Sequence, residues 1–162
     1  MYRKSFFVVA FALLLVGILF TGTRMVAAIP GITGYPSSYD PKTTLQDATN
    51  TSKTPILVEF YTDQCHTCKQ VTPWVHHLAS GKYKNQVTLV MINLDDPQQS
   101  QYGNAFGVTY VPTIYVFDPH TMAKAQVDPN SYGTMQQVDT GISQALSQVK
   151  SRTSSAEPAS AR

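Results

Sequence analysis

The chain contains short continuous apolar runs and segments with the apolar period of a helix. Residues 56–61 are apolar apart from one acid, and residues 87–92 form a second run that is apolar apart from one threonine. Runs of this length bounded by turn residues predict buried strands. Residues 113–117 predict a third strand, and residues 124–127 are expected to pair with it as a hairpin.

The clearest helical pattern runs from His66 to about Ser80, between the first two strands. Apolar residues recur there at i, i+3, i+4 and i+7, which predicts one core-facing stripe. The stripe consists of Val71, Trp74, Val75 and Leu78. Pro73 is expected to kink this helix, and Gly81 is expected to end it.

Three further helices are expected. Asp40 followed by Pro41 is typical of an N-cap and a first helical position, so a short helix should run from there to about residue 50. Asp95-Asp96-Pro97 should start another that ends near Phe106. A capping-box pattern at residues 134–137 precedes the last helix. The apolar face of this last helix is formed by Val138, Ile142, Ala145, Leu146 and Val149.

The resulting order is α β α β α β β α, a strand–helix–strand unit followed by a hairpin and a closing helix. It predicts an α/β fold in which a central mixed sheet of four to five strands has helices on both faces. The domain is expected over residues 40–150. A linker rich in Gly, Pro and Ser precedes it at 29–39, and a polar tail at 151–162 should be disordered.

The N-terminal region, residues 1–28, carries an apolar segment of its own. Residues 5–23 are 19 residues without a charge, close to the roughly 20 that cross a bilayer. The region is expected to be a membrane anchor or a signal peptide. Small residues at 26–28 would suit cleavage, but Arg24 before them favours the uncleaved anchor. The basic residues before the run should stay inside, so everything after Arg24 is exported.

Charge excludes one class of function. The formal net charge is +2, but residues 1–28 hold three of the basic residues, and nine basic against ten acidic residues remain after them. No basic cluster recurs downstream, so binding to nucleic acid is not expected.

The two cysteines of the chain, Cys65 and Cys68, lie at the predicted start of a helix. A bridge between them closes too short a loop to stabilise a fold much, so their spacing indicates redox or metal chemistry. The helix N-terminus favours a thiolate at Cys65, and Lys69 and, when it is protonated, His66 add positive charge. At about 100° per residue Cys68 falls near the core-facing stripe, so Cys65 should be open and Cys68 shielded. Cys65 is expected to attack a target disulfide and Cys68 to resolve the mixed disulfide.

A zinc site would need further ligands, and the candidates are His76, His77 and His120. His76 lies about 12 Å beyond Cys68 along a helix at ~1.5 Å per residue, whereas zinc binds its ligands at ~2.0–2.3 Å. His76 and His77 are therefore predicted to form a solvated face, and no metal site is expected. Metal delivery through the cysteines and a distant histidine is kept as an alternative. Covalent haem attachment would need His directly after the second cysteine, where Lys69 stands.

Glu59 is an acid within a strand that is predicted to be buried. An unpaired charge there would be costly, so its pKa should rise, and a proton acceptor beneath Cys68 is the functional interpretation. An edge-facing or lysine-paired acid is the structural alternative. Pro112 precedes a strand, and local sequence alone does not predict a cis bond there, because only about 5–6% of X–Pro bonds are cis.

Together these motifs resemble the thioredoxin superfamily over residues 40–149. The resemblance rests on Ile56-Leu57-Val58-Glu59-Phe60, Cys65, Cys68, Lys69, Pro73, Phe106-Gly107-Val108 and Val111-Pro112-Thr113. It implies that Pro112 is cis and lies against the cysteine pair, and that the backbone of Val111 pairs with the substrate chain. With His66, these are the expected substrate-binding residues. Glu59 falls where thioredoxins hold a buried Asp. No cofactor is implied beyond a redox-active disulfide between Cys65 and Cys68.

Within the superfamily, the anchor, Glu59 and Asn93-Leu94-Asp95 are similar to membrane-anchored thioredoxin-like proteins. That resemblance implies a domain in the periplasm or thylakoid lumen, with a transmembrane thiol reductase as electron donor. Disulfides of exported proteins, including apocytochromes c, would be the targets. Reduction is the expected direction. A disulfide-forming oxidant, favoured by His66, and a non-enzymatic binding or chaperone module are the alternatives.

Overall fold

A computed structural model of the chain describes residues 43–156. Several predictions concern residues outside this range: the anchor or signal peptide at 1–28, the linker at 29–39, the helix start at Asp40-Pro41 and the end of the tail, 157–162. Within the described range, no helix combines the length and the apolarity that crossing a bilayer requires.

Four strands of this part of the chain form one sheet in the spatial order β2-β1-β3-β4. They are β1 Ile56–Tyr61, β2 Thr88–Asn93, β3 Thr113–Phe117 and β4 Lys124–Gln126. β1 runs parallel to β2 and antiparallel to β3, and β4 pairs antiparallel with β3. The predicted mixed sheet is confirmed, with β1 in its interior.

The described residues also form four α-helices and one 3-10 helix. They are α1 Leu45–Thr51, α2 His66–Ser80, α3 Ser100–Phe106, the 3-10 helix Pro129–Ser131 and α4 Met135–Ala156. The order of the α-helices and strands agrees with the predicted α β α β α β β α.

β1 separates two apolar cores, because successive side chains of a strand point to opposite faces of its sheet. Leu57 and Tyr61 pack with residues of α2 and α4 on one face. Val58 and Phe60 pack with residues of α1 and α3 on the other. All six residues of β1 are buried, as expected for a strand that is covered on both sides. The prediction of helices on both faces is confirmed.

The two longest helices have the apolar faces that the sequence predicts. α2 has the predicted bounds and ends at Gly81; of its stripe only Trp74 is partly exposed. α2 continues through Pro73, and the kink there stays a prediction. All five predicted positions of α4 are buried. The Thr134 hydroxyl caps α4 by accepting the Gln137 N–H at 3.2 Å.

The start predicted for the first helix lies outside the described residues, and that predicted for α3 is wrong. α1 begins after Thr44, whose hydroxyl accepts the Asp47 N–H at 3.0 Å. α3 begins only at Ser100, because Asp96 acts in a turn, where its carboxylate accepts the Gln98 N–H at 2.8 Å. An acid in such a turn has the same sequence signature as a helix N-cap, which explains the error for α3.

The prediction that the polar tail is disordered is wrong for its first half, since α4 continues to Ala156. Thr153 donates a hydrogen bond to the Asp118 carboxylate at 2.9 Å, and Arg152 donates one to the Lys124 carbonyl at 2.6 Å. These contacts bind the last turns of α4 to the β3–β4 hairpin.

Gly107 ends α3 in the left-handed region, with φ of +74°. A Cβ placed there would meet nothing within 4 Å, so the Gly107→Ala substitution adds backbone strain but leaves the packing unchanged. We expect this variant to lose about 1–2 kcal/mol of unfolding free energy, measured by urea denaturation. Gly107→Asn is the control, because Asn adopts this region more easily and should lose less. Equal losses in the two variants would contradict the assignment to strain.

Candidate active site

The turn after β1 places the two cysteines at the start of α2. Cys65 is the N-cap, and its Sγ accepts the N–H of Cys68 at 3.0 Å. The two sulfurs form a disulfide, with the Cα atoms 5.2 Å apart. The Cys65 sulfur thus occupies the place that a Ser or Asp oxygen takes at other helix caps. When the pair is reduced, this N–H group and the helix dipole favour a thiolate on Cys65.

The two sulfur-bearing residues differ in accessibility. Cys65 is partly exposed, whereas Cys68 has 0% exposure. His66 and Thr67 between them are exposed. The prediction of an open first cysteine and a shielded second one is confirmed, and a partner can reach only Cys65 directly.

A hydrogen-bond network fixes the turn that leads into Cys65. The Asp63 N–H donates to Asp95 Oδ2 at 2.7 Å, and the Asn93 side-chain amide donates to Asp63 Oδ1 at 2.9 Å. Asn93 Oδ1 also accepts the Asp95 N–H at 2.9 Å. These contacts were missed from the sequence. The sequence could have indicated these contacts, because the carboxyl ends of parallel strands such as β1 and β2 meet at one edge of a sheet.

Glu59 lies in the middle of β1 and has 0% exposure. Its neighbours across the sheet are Met91 and Ile114, and none of the described lysines forms an ion pair with it. Thr72 Oγ1 donates a hydrogen bond to Glu59 Oε1 at 2.6 Å, while Oε2 has no hydrogen-bond partner among the described residues. Both structural alternatives, the edge-facing acid and the lysine-paired acid, are therefore wrong.

The environment of Glu59 favours its neutral form. Burial raises the pKa of Glu59 to about 8, and the hydrogen bond from Thr72 opposes this rise. The predicted rise of the pKa is confirmed in direction. A carboxyl group with such a pKa can hold, release and take up a proton near neutral pH.

Thr72 connects the buried carboxyl group of Glu59 to the helix that carries Cys68. Cys68 and Thr72 are four residues apart in α2, so they share one face of the helix, separated by about one turn of 5.4 Å. Both are buried, and Thr72 contacts Glu59. Glu59 lies two residues from Leu57 and from Tyr61 in β1, so its side chain points to the same face of the sheet as theirs. The hydrogen bond from Thr72 brings the Glu59 carboxyl group to the face of α2 that also carries Cys68, and its role as a proton acceptor for Cys68 stays a prediction.

The peptide bond between Val111 and Pro112 is cis. The resemblance to thioredoxins predicts this, whereas the statistics of X–Pro bonds do not. Pro112 is buried, and Val111 is partly buried against the same core cluster as Cys65. Thr113 holds the segment by donating a hydrogen bond to the Tyr110 carbonyl at 2.7 Å. The segment before β3 and the cysteine pair thus border one core.

The described histidines form no metal site with the cysteines. Nowhere in residues 43–156 do three or more His, Cys, Asp or Glu side chains converge so that they could hold a metal ion. His77 is exposed, but His76 is half-buried, and burial lowers its pKa. The predicted solvated face is confirmed for His77 and wrong for His76.

Residues 38–140 match the family described as Thioredoxin. The chain belongs to the thioredoxin family. Thioredoxin 1 of Chlorobaculum tepidum is 36% identical over 74 residues, which cover 46% of this chain and 70% of that protein. The chloroplastic thioredoxin-like protein HCF164 of Arabidopsis thaliana is 36% identical over 64 residues, which cover 40% of this chain and 24% of that protein. Among solved structures, the J-Trx1 fragment of ERdj5 has a TM-score of 0.48 and 20% identity, over 65% of this chain and 48% of that chain.

Membership in this family indicates which reaction the Cys65–Cys68 disulfide takes part in. A thioredoxin-family chain with a Cys-x-x-Cys disulfide is expected to exchange electrons with other thiol–disulfide pairs. The family and the Cys65–Cys68 bond together support thiol–disulfide oxidoreductase activity.

Proposed function

We propose that this thioredoxin-family protein is a membrane-tethered oxidoreductase that reduces disulfides in exported proteins. The observation that carries the proposal is the asymmetry of the cysteine pair. Cys65 is partly exposed at the N-terminus of α2, while Cys68 is buried one helical turn before Thr72, which binds the Glu59 carboxyl group of raised pKa. One sulfur is suited to attack a partner and the other to complete the reaction.

The reaction transfers two electrons from the protein to its target. The Cys65 thiolate attacks one sulfur of the target disulfide, a mixed disulfide forms, and the other target sulfur leaves as a thiolate. Cys68 then gives its proton to ionised Glu59 and attacks the Cys65 sulfur. The second target sulfur leaves, and the Cys65–Cys68 disulfide remains, which is the state of the structure. The Val111 backbone, Pro112 and His66 are the proposed contacts to the target chain.

The proposed location is based on the sequence before residue 43. Residues 5–23 are long enough and apolar enough to anchor the chain, and Arg3 and Lys4 before them favour export of the residues after the anchor. On that side of the membrane a transmembrane thiol reductase would reduce Cys65–Cys68, and exported protein disulfides, including those of apocytochromes c, would oxidise it. The anchor is tested by extraction: the full chain should stay with membranes in alkaline carbonate, and release into the wash would contradict a spanning anchor.

The direction of electron flow is tested by the reduction potential of the pair. We expect the full chain in detergent to reduce insulin with dithiothreitol as electron source, and to have a potential nearer to ~−270 mV than to ~−120 mV. A disulfide-forming oxidant is the second candidate, because exposed His66 lies beside Cys65 and a cation there stabilises the thiolate. A potential near ~−120 mV would establish that candidate instead. Retained peptide binding without any insulin turnover would favour a binding module.

A further inference from the structure

Thr72 makes a contact that the mechanism above does not use. Its side chain is 1% exposed, and its hydroxyl donates to Glu59 Oε1 at 2.6 Å across the interface between α2 and β1. Both partners are buried, and Thr72 lies one helical turn after Cys68 in α2. An oxygen–oxygen distance of 2.6 Å between a hydroxyl and a carboxyl group is that of a short, strong hydrogen bond.

The hydroxyl of Thr72 makes no hydrogen bond to its own helix among those that the structure shows. A helical Ser or Thr commonly donates to the carbonyl four residues earlier. Seven pairs in the described helices do so: Thr49 to Leu45, Thr51 to Asp47, Ser80 to His76, Thr140 to Gln136, Ser147 to Ser143, Thr153 to Val149 and Ser155 to Ser151. For Thr72 that acceptor would be the Cys68 carbonyl, but its one hydroxyl proton goes to Glu59 instead.

We propose that Thr72 is a positioning residue for the resolving step, because it occupies one oxygen of Glu59 and leaves the other to exchange a proton with Cys68. A hydroxyl group has a single proton to donate. While Thr72 donates to Oε1, the carboxyl proton belongs on Oε2, the oxygen that accepts no hydrogen bond from the described residues. The inference rests on the proposed function of the cysteine pair.

The same contact keeps Glu59 usable as a base. A hydrogen bond donated to a carboxylate stabilises the ionised form more than the neutral one. Without Thr72, burial alone would determine the pKa of Glu59, and a smaller fraction of its carboxyl groups would be ionised at neutral pH. Thr72 therefore sets the pH range in which Cys68 can lose its proton to Glu59.

Other titratable groups that face Glu59 do not supply this control. Tyr61 lies on the same strand face, and burial raises its pKa to about 12. Tyr132 approaches from the segment before α4, where its hydroxyl accepts the Ile114 N–H at 3.2 Å, and burial raises its pKa as well. Both phenols stay neutral between pH 5 and 9. Cys68, one turn of α2 before Thr72, is the group to which the proposed step assigns the proton donor's role.

The chain offers a direct test, because Glu59 and Glu157 are its two glutamates. Labelling glutamate with 13C at the carboxyl carbon gives two NMR signals in the full chain in detergent, and Glu59→Gln identifies the one that belongs to Glu59. We expect Thr72→Val, which keeps the side-chain shape, to move the Glu59 titration about one pH unit upward. Thr72→Ser keeps the donor and should restore the wild-type midpoint. If Thr72→Val does not fold, Thr72→Ala removes the same donor and gives the same comparison.

A kinetic cycle separates positioning from a merely structural role. Resolution of a mixed disulfide with a labelled peptide should be about tenfold slower in Thr72→Val at pH 7, in proportion to the lost ionised fraction of Glu59. In a Glu59→Gln background, Thr72→Val should change nothing further. An unchanged Glu59 titration, or an equal slowing in both backgrounds, would overturn the proposal. Failure of wild-type insulin reduction would instead reject the proposed function, whatever the Thr72 variants show.

Discussion

Cys68→Ser protein should accumulate covalent adducts with its targets through Cys65, whereas Cys65→Ser protein should accumulate none. The partly exposed Cys65 can reach a target disulfide, and without Cys68 the mixed disulfide has no internal thiol to release it. In both variants insulin reduction should fall to the rate without protein. Non-reducing gels of membranes that contain each full-length variant measure the adducts, and mass spectrometry identifies the trapped partners.

Two controls keep the trapping experiment specific. The double variant Cys65→Ser/Cys68→Ser must capture nothing, since it holds no thiol. Thr67→Ser alters the exposed residue beside Cys68 without removing a sulfur, and should give no stable adducts because Cys68 still releases them. If Cys65→Ser captured as many partners as Cys68→Ser, both sulfurs would be able to attack a target, and the assignment of attack to Cys65 alone would be wrong.

The elements that the sequence predicts best are those whose pattern is imposed by burial. β1 is buried on both faces, so its six residues are nearly all apolar and its bounds are visible in the sequence. α2 has a polar and an apolar face, and a glycine at its end, so both its bounds and the orientation of Cys68 follow from the 3.6-residue period. In these two elements, local pattern and tertiary environment agree.

The errors occur where a tertiary contact overrides composition. The last turns of α4 are rich in Ser and Thr, a composition typical of a disordered tail, but Thr153 finds the Asp118 carboxylate. Asp96 was predicted to start a helix, and its side chain is used in a turn instead. Each outcome depends on a partner or a backbone geometry that a local window of sequence does not contain.

The candidate site likewise combines features that the sequence pattern predicts with features that it does not. The accessibility of the two cysteines and the burial of Glu59 follow from helical phase and strand position. The cis bond before Pro112 follows from family resemblance alone, because nothing in the local chemistry outweighs the usual trans preference. The bond between Thr72 and Glu59 joins residues 13 apart, and no periodicity marks Thr72 as the donor.

Glu59 should make the oxidised protein less stable as the pH rises, and Glu59→Gln should remove this dependence. The pKa of Glu59 is raised from 4.5 to about 8 in the folded protein, so between these values the folded state binds more protons than the unfolded state. Unfolding free energy is then highest below pH 4.5, falls through neutral pH and levels off above pH 8. The expected loss between pH 5 and pH 9 is on the order of 4 kcal/mol. Urea denaturation of wild type and Glu59→Gln at several pH values measures it.

The difference between the two proteins isolates Glu59 from the other titrating groups. His76 acts in the opposite direction, because its lowered pKa makes the unfolded state the better proton binder below about pH 6.5. That contribution is the same in wild type and in Glu59→Gln, and it cancels in the comparison. The oxidised state removes the cysteines from the titration. If both proteins lost the same stability between pH 7 and pH 9, Glu59 would be ionised at no cost in the folded state. It could then not be the proton-holding group beneath Cys68.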